Sequence, residues 1–277
     1  MGEAEGGGLL NVQTIPRDDK VAKKAFLPKL DAFLSADYPN IELKLLAFYL
    51  EKIGDPRMAE VFRTGADLHK ETAAGLYGKP VDAVTDLERQ TGKRLNFSIV
   101  YGGGIPTLVK QGVAADAKEA LDLLSRFHST WPSIGWESKR RPADVGTLIH
   151  AVKGRIQKRG YITTLWGRHL HPHSPHVMVN CLCQGCAADL MKWALIQVHH
   201  YTRGKNMQSH LVNVIHDDLM LDCTLAELPH LADRVPTLMT YGPVEEVVPI
   251  RPDPEVSFGS WADKKPWDPL DILEVAA

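Results

Sequence analysis

The chain has 277 residues, 44% of them hydrophobic and 24% charged, and a formal net charge of −2, enough for one large domain or two modest ones with their own cores. No uncharged apolar run approaches the roughly 20 residues that cross a bilayer, and the opening MGEAEGGGLL lacks the basic and apolar regions of a signal peptide, so a cytoplasmic protein is expected. The near-neutral balance excludes a protein that coats nucleic acid by bulk electrostatics, yet it leaves room for local basic clusters: Lys139, Arg140 and Arg141, then Lys153, Arg155, Lys158 and Arg159.

Residues 1–20 are rich in glycine and polar side chains and read as a tail. From Phe26 to Phe33 apolar positions alternate with polar ones, SADYPN ends the strand in a turn, and IELKLLAFYLEKIG has helical spacing as far as Gly54. This predicts a strand followed by a helix, with Asp37 at the junction. Residues 67–102 read as two helical pieces broken near Gly78 and Pro80 and stopped by Gly102, Gly103 and Gly104. Further helices are expected from about Asp116 to Trp131 and from about Asp144 to Arg159. YITTLWGRHLH then suggests a hairpin, a long helix runs from about Cys183 to Tyr201, and SHLVNVIHDDLMLDCT is a second hairpin with His216, Asp217 and Asp218 at its turn. One more helix and a strand-like EEVVPIRP follow. Strands at both ends with helices between them imply a discontinuous α+β domain carrying a helical insertion.

Asp37 and Asp217 are remote in sequence, so only a fold can unite them. If their strands neighbour each other in one sheet, both carboxylates emerge at one edge and supply hard oxygen ligands suited to Mg²⁺, with a second ion nearby. Aspartates in turns also cap local backbone groups, and spacing alone leaves that reading open. Arg89, Lys93, Phe97 and Tyr101 recur every four residues and wind along about 18 Å of helix. Such a stripe suits a triphosphate at its cationic end and a base and sugar at its aromatic end. An amphipathic helix with its rings in the core and its cations in water fits the same spacing. Cys181, Cys183 and Cys186, near His171, His173 and His176, lack a regular zinc spacing and read as small buried thiols.

Taken together, these stretches resemble the DNA polymerase I family, or family A polymerases. Asp37-Tyr38-Pro39-Asn40-Ile41-Glu42-Leu43-Lys44 is similar to its first palm motif, DYSQIELR, and Arg89, Lys93, Phe97, Tyr101 and Gly102 match its fingers-helix pattern R-x₃-K-x₃-F-x₃-YG without a gap. Ile215-His216-Asp217-Asp218 is similar to VHDE, Asp67-Leu68-His69 with Thr72-Ala73 to D-x-H-x-x-TA, Thr164–Arg168 to TLxGR, and Asn180–Asp189 to NAPMQGTAAD. The resemblance implies a palm with an antiparallel sheet and an inserted helical fingers subdomain, with the thumb absent. The segments would be a tail at 1–20, palm at 21–60, fingers at 61–159 and palm again at 160–277.

It further implies template-directed DNA synthesis from deoxynucleoside triphosphates on primer-template DNA, with two Mg²⁺ ions. Asp37 and Asp217 would bind both metals, with Asp218 a supporting catalytic acid. His69, Arg89 and Lys93 would hold the incoming triphosphate, and Phe97 would flank its sugar and reduce acceptance of dideoxynucleotides. Tyr101 would guard the template base, and Glu42 would be the steric gate against a 2′-hydroxyl. Asn180 and Gln184 would reach the minor groove, and His216 the primer terminus. Pro39 and Asn40 stand where Ser and Gln are usual, Asp218 where Glu is usual, and the stretch from Arg168 to Asn180 is short. The chain starts after the family's thumb, and no exonuclease-like acidic motif precedes its first palm motif; a separate chain supplying thumb and exonuclease, as in a split phage-type enzyme, is therefore expected. Two rival readings are a catalytically inactive nucleic-acid-binding relative and a single-subunit RNA polymerase.

Overall fold

A computed structural model describes Ile15 and residues 19–135, 147–172 and 177–272. Most of the expected tail, the Lys139–Arg141 cluster, and His173 and His176 lie outside the described residues.

The first helix, α1 (Lys20–Lys23), is a single turn whose Ala22 amide donates to the Asp19 side chain at 3.0 Å. β1 (Ala32–Asp37) follows, starting later than the alternation from Phe26 suggests. The reason is Asp222: its carboxylate accepts from the amides of Lys29 (2.9 Å) and Leu30 (3.0 Å), which diverts those donors from a strand ladder. After Pro39 the backbone of Asn40 is left-handed (φ 57°), a conformation that asparagine tolerates, and α2 (Ile41–Lys52) begins. α3 (Arg57–Arg63) leads to α4 (Leu68–Tyr77), which Asp67 caps at the amides of His69 and Lys70. A 3₁₀ turn at Val81–Ala83 precedes α5 (Asp86–Val100), whose start is a reciprocal capping box between Thr85 and Glu88.

The middle continues with α6 (Ile105–Lys110), α7 (Ala117–Thr130) and α8 (Leu148–Arg159). β2 (Ile162–Thr163) and β3 (His169–Leu170) form the expected short hairpin. α9 (Met178–Gly204) starts before Cys183, so that Asn180 already lies within it. β4 (His210–Ile215) and β5 (Asp218–Cys223) make the second expected hairpin, and α10 (Leu228–Met239) comes next. EEVVPIRP is not a strand: α11 (Gly242–Glu245) ends in its first residues, and Pro249 and Pro252 remove backbone donors from the rest. The strand is instead β6 (Asp253–Ser257), followed by β7 (Lys265–Pro266). Among the described residues no helix is long and apolar enough to cross a membrane.

The chain divides into two compact units, one made of residues 1–39, 193–240 and 251–277, the other of residues 40–192 and 241–250. The first is built on an antiparallel sheet in the order β4-β5-β1-β6-β7. Period-two alternation gives it one face of Ala32, Leu34, Ala36, Leu219, Leu221 and Val256, all fully buried. On the opposite face Phe33, Met220 and Trp261 pack together with Ile15, Phe26 and Ile215. α10 packs on β1 and β6, and the Tyr38 hydroxyl donates to the Met239 carbonyl.

In the second unit α2 is buried without a break from Leu43 to Leu50, as a helix at the centre of a core must be. α4 packs on α5 and α7. Gly92 permits the α4–α5 contact, since a Cβ there would lie 2.4 Å from the His69 carbonyl oxygen. Gly185 does the same for the β2–β3 hairpin, where a Cβ would meet Leu170 Cδ1 at 2.7 Å. Arg168, from the hairpin, donates to Asp189 Oδ1 and to the Gly185 carbonyl, each at 2.8 Å, so the TLWGR and CQGCAAD stretches are two halves of one contact. Cys186 lies 3.0 Å from the Tyr49 hydroxyl, and all four cysteines are free thiols.

Candidate active site

The sheet places the acidic residues of the first unit together. Asp37, the last residue of β1, pairs with Asp218 on one side and with Asp253 on the other, so three aspartates lie in a row across neighbouring strands on one face. Asp217 occupies the two-residue loop between β4 and β5, and its carbonyl accepts from the Tyr38 amide at 3.2 Å. The two remote aspartates expected to meet therefore stand at the same end of the sheet. His216, the first residue of that loop, carries the positive φ (56°) that so tight a hairpin needs, and its side chain is exposed.

Lys264 is the cation of this cluster: its Nζ lies 2.8 Å from Asp218 Oδ2 and 2.8 Å from Glu255 Oε2. Burial opposes its charge, but the two carboxylates outweigh burial and raise its pKa. Burial also raises the Asp218 carboxyl; Lys264 counters this, while Asp37 and Glu255 add to it. Negative charge thus exceeds positive charge at this sheet end. Among the described residues Asp37 Oδ1 and Asp218 Oδ1 are buried acceptors without a hydrogen-bond partner, an arrangement that costs free energy until a cation meets it. Hard carboxylate oxygens in excess fit Mg²⁺. Among the described residues no group of three His, Cys, Asp or Glu encloses an ion, so water and phosphate would complete its shell.

The second unit carries the cationic and aromatic stripe. Arg89 Nε donates to Asp67 Oδ2 at 2.5 Å, which ties α5 to the cap of α4. Lys93, one turn on, has no ion-pair partner among the described residues and is half-buried. Phe97 stacks with Tyr101 at 6.2 Å between centroids, and His69 faces Phe97 from α4 at 5.9 Å. Burial pushes the His69 ring down to about 4; Asp67 opposes this, and Arg89 and Lys93 assist it. The Tyr101 hydroxyl donates to Glu42 Oε1 at 3.2 Å, joining the end of α5 to the first turn of α2. Asn180 and Gln184 lie one turn apart on α9, Gln184 exposed and Asn180 with a buried Oδ1 that has no partner among the described residues.

Several residues of this arrangement were hidden from sequence reasoning. Lys264 sits in a Lys-Lys pair that reads as surface, and Glu255 between Pro254 and Val256 gives no signal at all. Asn96, immediately before Phe97, is 1% exposed and bonded to His69. Its place inside the R-x₃-K-x₃-F pattern was the one available clue.

A profile of DNA polymerase family A matches residues 9–263. DNA polymerase I of Bacillus caldotenax is 30% identical over 272 residues, which cover 92% of this chain and 29% of that protein. The thermostable DNA polymerase I of Thermus thermophilus is 30% identical over 270 residues, covering 91% of this chain and 30% of that one. The chain thus spans about three tenths of the length of these curated relatives. They are bacterial proteins and lend no support to a phage-type origin. Among solved structures, the POL domain of Pol1 from M. smegmatis in complex with DNA primer-template and dNTP shares the fold, with a TM-score of 0.77 and 24% identity over 92% of this chain and 45% of that one. With the family profile running from before α1 to the end of the sheet's acidic cluster, the chain belongs to DNA polymerase family A.

Proposed function

We propose that this chain performs template-directed DNA synthesis, adding deoxynucleoside triphosphates to a primer 3′ end. The observation that carries the reading is the row of carboxylates at one sheet end, with Asp37 Oδ1 buried and unpartnered beside the loop that holds Asp217. Asp37 and Asp217 would hold two Mg²⁺ ions, with Asp218, clamped by Lys264, as a supporting charge. When bound, the metals supply activation of the attacking oxygen and charge neutralisation at the leaving one. In the reaction the primer 3′ hydroxyl gives up its proton to solvent, its oxygen forms a bond to the α-phosphorus, the bond from that phosphorus to the bridging oxygen breaks, and pyrophosphate leaves.

Lys93 and the guanidinium edge of Arg89 not committed to Asp67 bind the triphosphate, together with His69, and stabilise its transition-state charge. Phe97 flanks the sugar, and Tyr101 guards the template base. Glu42, held by the Tyr101 hydroxyl, leaves no room for a 2′-hydroxyl and selects deoxynucleotides. Asn180 and Gln184 read the minor groove, where acceptors common to all correct pairs test geometry rather than sequence, and His216 meets the primer terminus. In this reading residues 21–60 and 160–277 serve as palm and residues 61–159 as fingers, and the partners are primer-template DNA and deoxynucleoside triphosphates.

Primer extension with Mg²⁺ and either deoxy- or ribonucleotides, beside an Asp217→Ala control, tests the proposal. Extension with deoxynucleotides that the control abolishes supports it. Preference for ribonucleotides would make the chain an RNA polymerase, and primer-template binding with no extension would make it an inactive binding relative.

A further inference from the structure

A line of buried side chains runs behind His69. Trp131 Nε1 donates to Thr72 Oγ1 at 3.0 Å, Thr72 Oγ1 lies 2.9 Å from the Leu68 carbonyl and 3.0 Å from Asn96 Oδ1, and Asn96 Nδ2 lies 3.0 Å from His69 Nδ1. Thr72 is fully buried, Asn96 is 1% exposed, and His69 and Trp131 are 5% exposed. Four polar side chains have thus been taken out of water on α4, α5 and the end of α7. Such a network is tolerable only when its donors and acceptors are matched.

The matching has a direction. An indole N–H only donates, so the Thr72 oxygen accepts from Trp131, and its single hydrogen points to Asn96 Oδ1, because two oxygens 3.0 Å apart with no hydrogen between them would repel. With its oxygen toward Thr72, Asn96 presents its NH₂ to His69. An N–H aimed at Nδ1 requires a lone pair there, so the ring proton sits on Nε2. Turning the amide round would leave Thr72 accepting twice and His69 with a lone pair at Nε2, a ring that repels an anion.

We infer that Asn96 is a positioning residue for triphosphate recognition, holding His69 as the neutral imidazole protonated at Nε2 and so as a hydrogen-bond donor to phosphate. The inference rests on the reading that His69 contacts the triphosphate. The charged groups facing the ring are Asp67 at the cap of α4 and Arg89 and Lys93 on α5, while Trp131 brings no charge. Burial pushes the ring down to about 4, so it stays neutral across the ordinary working range and the tautomer, rather than the charge, is what Asn96 sets. A neutral donor leaves the charge balance at the phosphates to Lys93 and Arg89.

Nitrogen NMR of the 277-residue chain labelled at histidine, with His69 assigned through His69→Gln, tests this directly. The expected result is an Nε2–H tautomer that does not titrate from about pH 5 to about pH 8. In Asn96→Asp the carboxylate only accepts, which draws a second proton to Nδ1 and raises the ring's pKa by about 1–3 units. The affinity of that variant for Mg²⁺-dATP, titrated without DNA, becomes pH dependent with its midpoint at the new value, whereas that of the unsubstituted chain is flat. Thr72→Val, close to isosteric, frees the amide to rotate and gives a tautomer mixture with about tenfold weaker dATP binding.

An Nδ1–H tautomer in the unsubstituted chain, titration near the ordinary histidine value, or an Asn96→Asp ring that titrates where it did before overturns the inference. So does a dATP complex that leaves the Nε2 signal unmoved. Failure of the polymerase reading shows separately, as absence of primer extension by the unsubstituted chain, and the tautomer still decides what Asn96 does to His69.

Discussion

Asp37 and Lys264 illustrate how single residues set the chemistry of the sheet end. Asp37 Oδ1 has been desolvated without a partner among the described residues, and Lys264 is paired with Asp218 and Glu255. Replacing Asp37 with Asn therefore removes a carboxylate charge that the proposed metal binding needs, and primer extension under saturating substrate should fall roughly a thousandfold with little change in the melting curve. Lys264→Met does the reverse: it strands two partly buried carboxylates and should cost about 2–3 kcal/mol in urea unfolding, with Lys264→Arg recovering most of it. His69 supplies a pH test. Its folded-state pKa, about 4, lies below the unfolded value near 6.5, so between these values the unfolded chain binds more protons. Stability is therefore lost as pH falls from about 6.5 to about 4 and levels off below. The difference in unfolding free energy between the unsubstituted chain and His69→Gln, measured across that window, should change in that direction and stay constant above it.

At the scale of elements, close approach matters more than propensity. Gly92 costs α5 helical stability, yet it sits where the α4 backbone passes, and Gly92→Ala should destabilise the fold by about 1–3 kcal/mol despite alanine's better propensity, which chemical denaturation would read directly. Thr85→Ala removes one half of the capping box on the same helix and should cost about 1 kcal/mol. The helices and hairpins that carry the motifs were legible because their signals are local. The break at Gly78, the 3.6 period of α7 and the two hairpins needed nothing beyond neighbours in sequence. The late start of β1 was not legible, because the acceptor that diverts Lys29 and Leu30 is Asp222, far along the chain. The false strand at EEVVPIRP shows the converse error, in which β-branched composition masked the missing donors of two prolines.

For the molecule as a whole, a net charge of −2 leaves no global attraction to DNA, so the proposed binding of primer-template would have to come from local contacts with phosphates. Raising salt from about 50 to about 200 mM should weaken primer-template binding by at least about tenfold in a fluorescence titration, and an insensitive affinity would argue against phosphate contacts as its source. Family membership and the identity of Asp37, Asp217, Arg89 and Lys93 as candidates were determined by sequence alone. Each belongs to a short motif, and six motifs fall in order along one chain. Tertiary structure alone decided which groups these residues face: Asp218 against Lys264, Asp37 beside Asp253, His69 against Asn96. Pairing across strands and between helices joins residues with no shared local pattern, and desolvation, which determines what a buried oxygen or ring nitrogen can do, is a property of that packing.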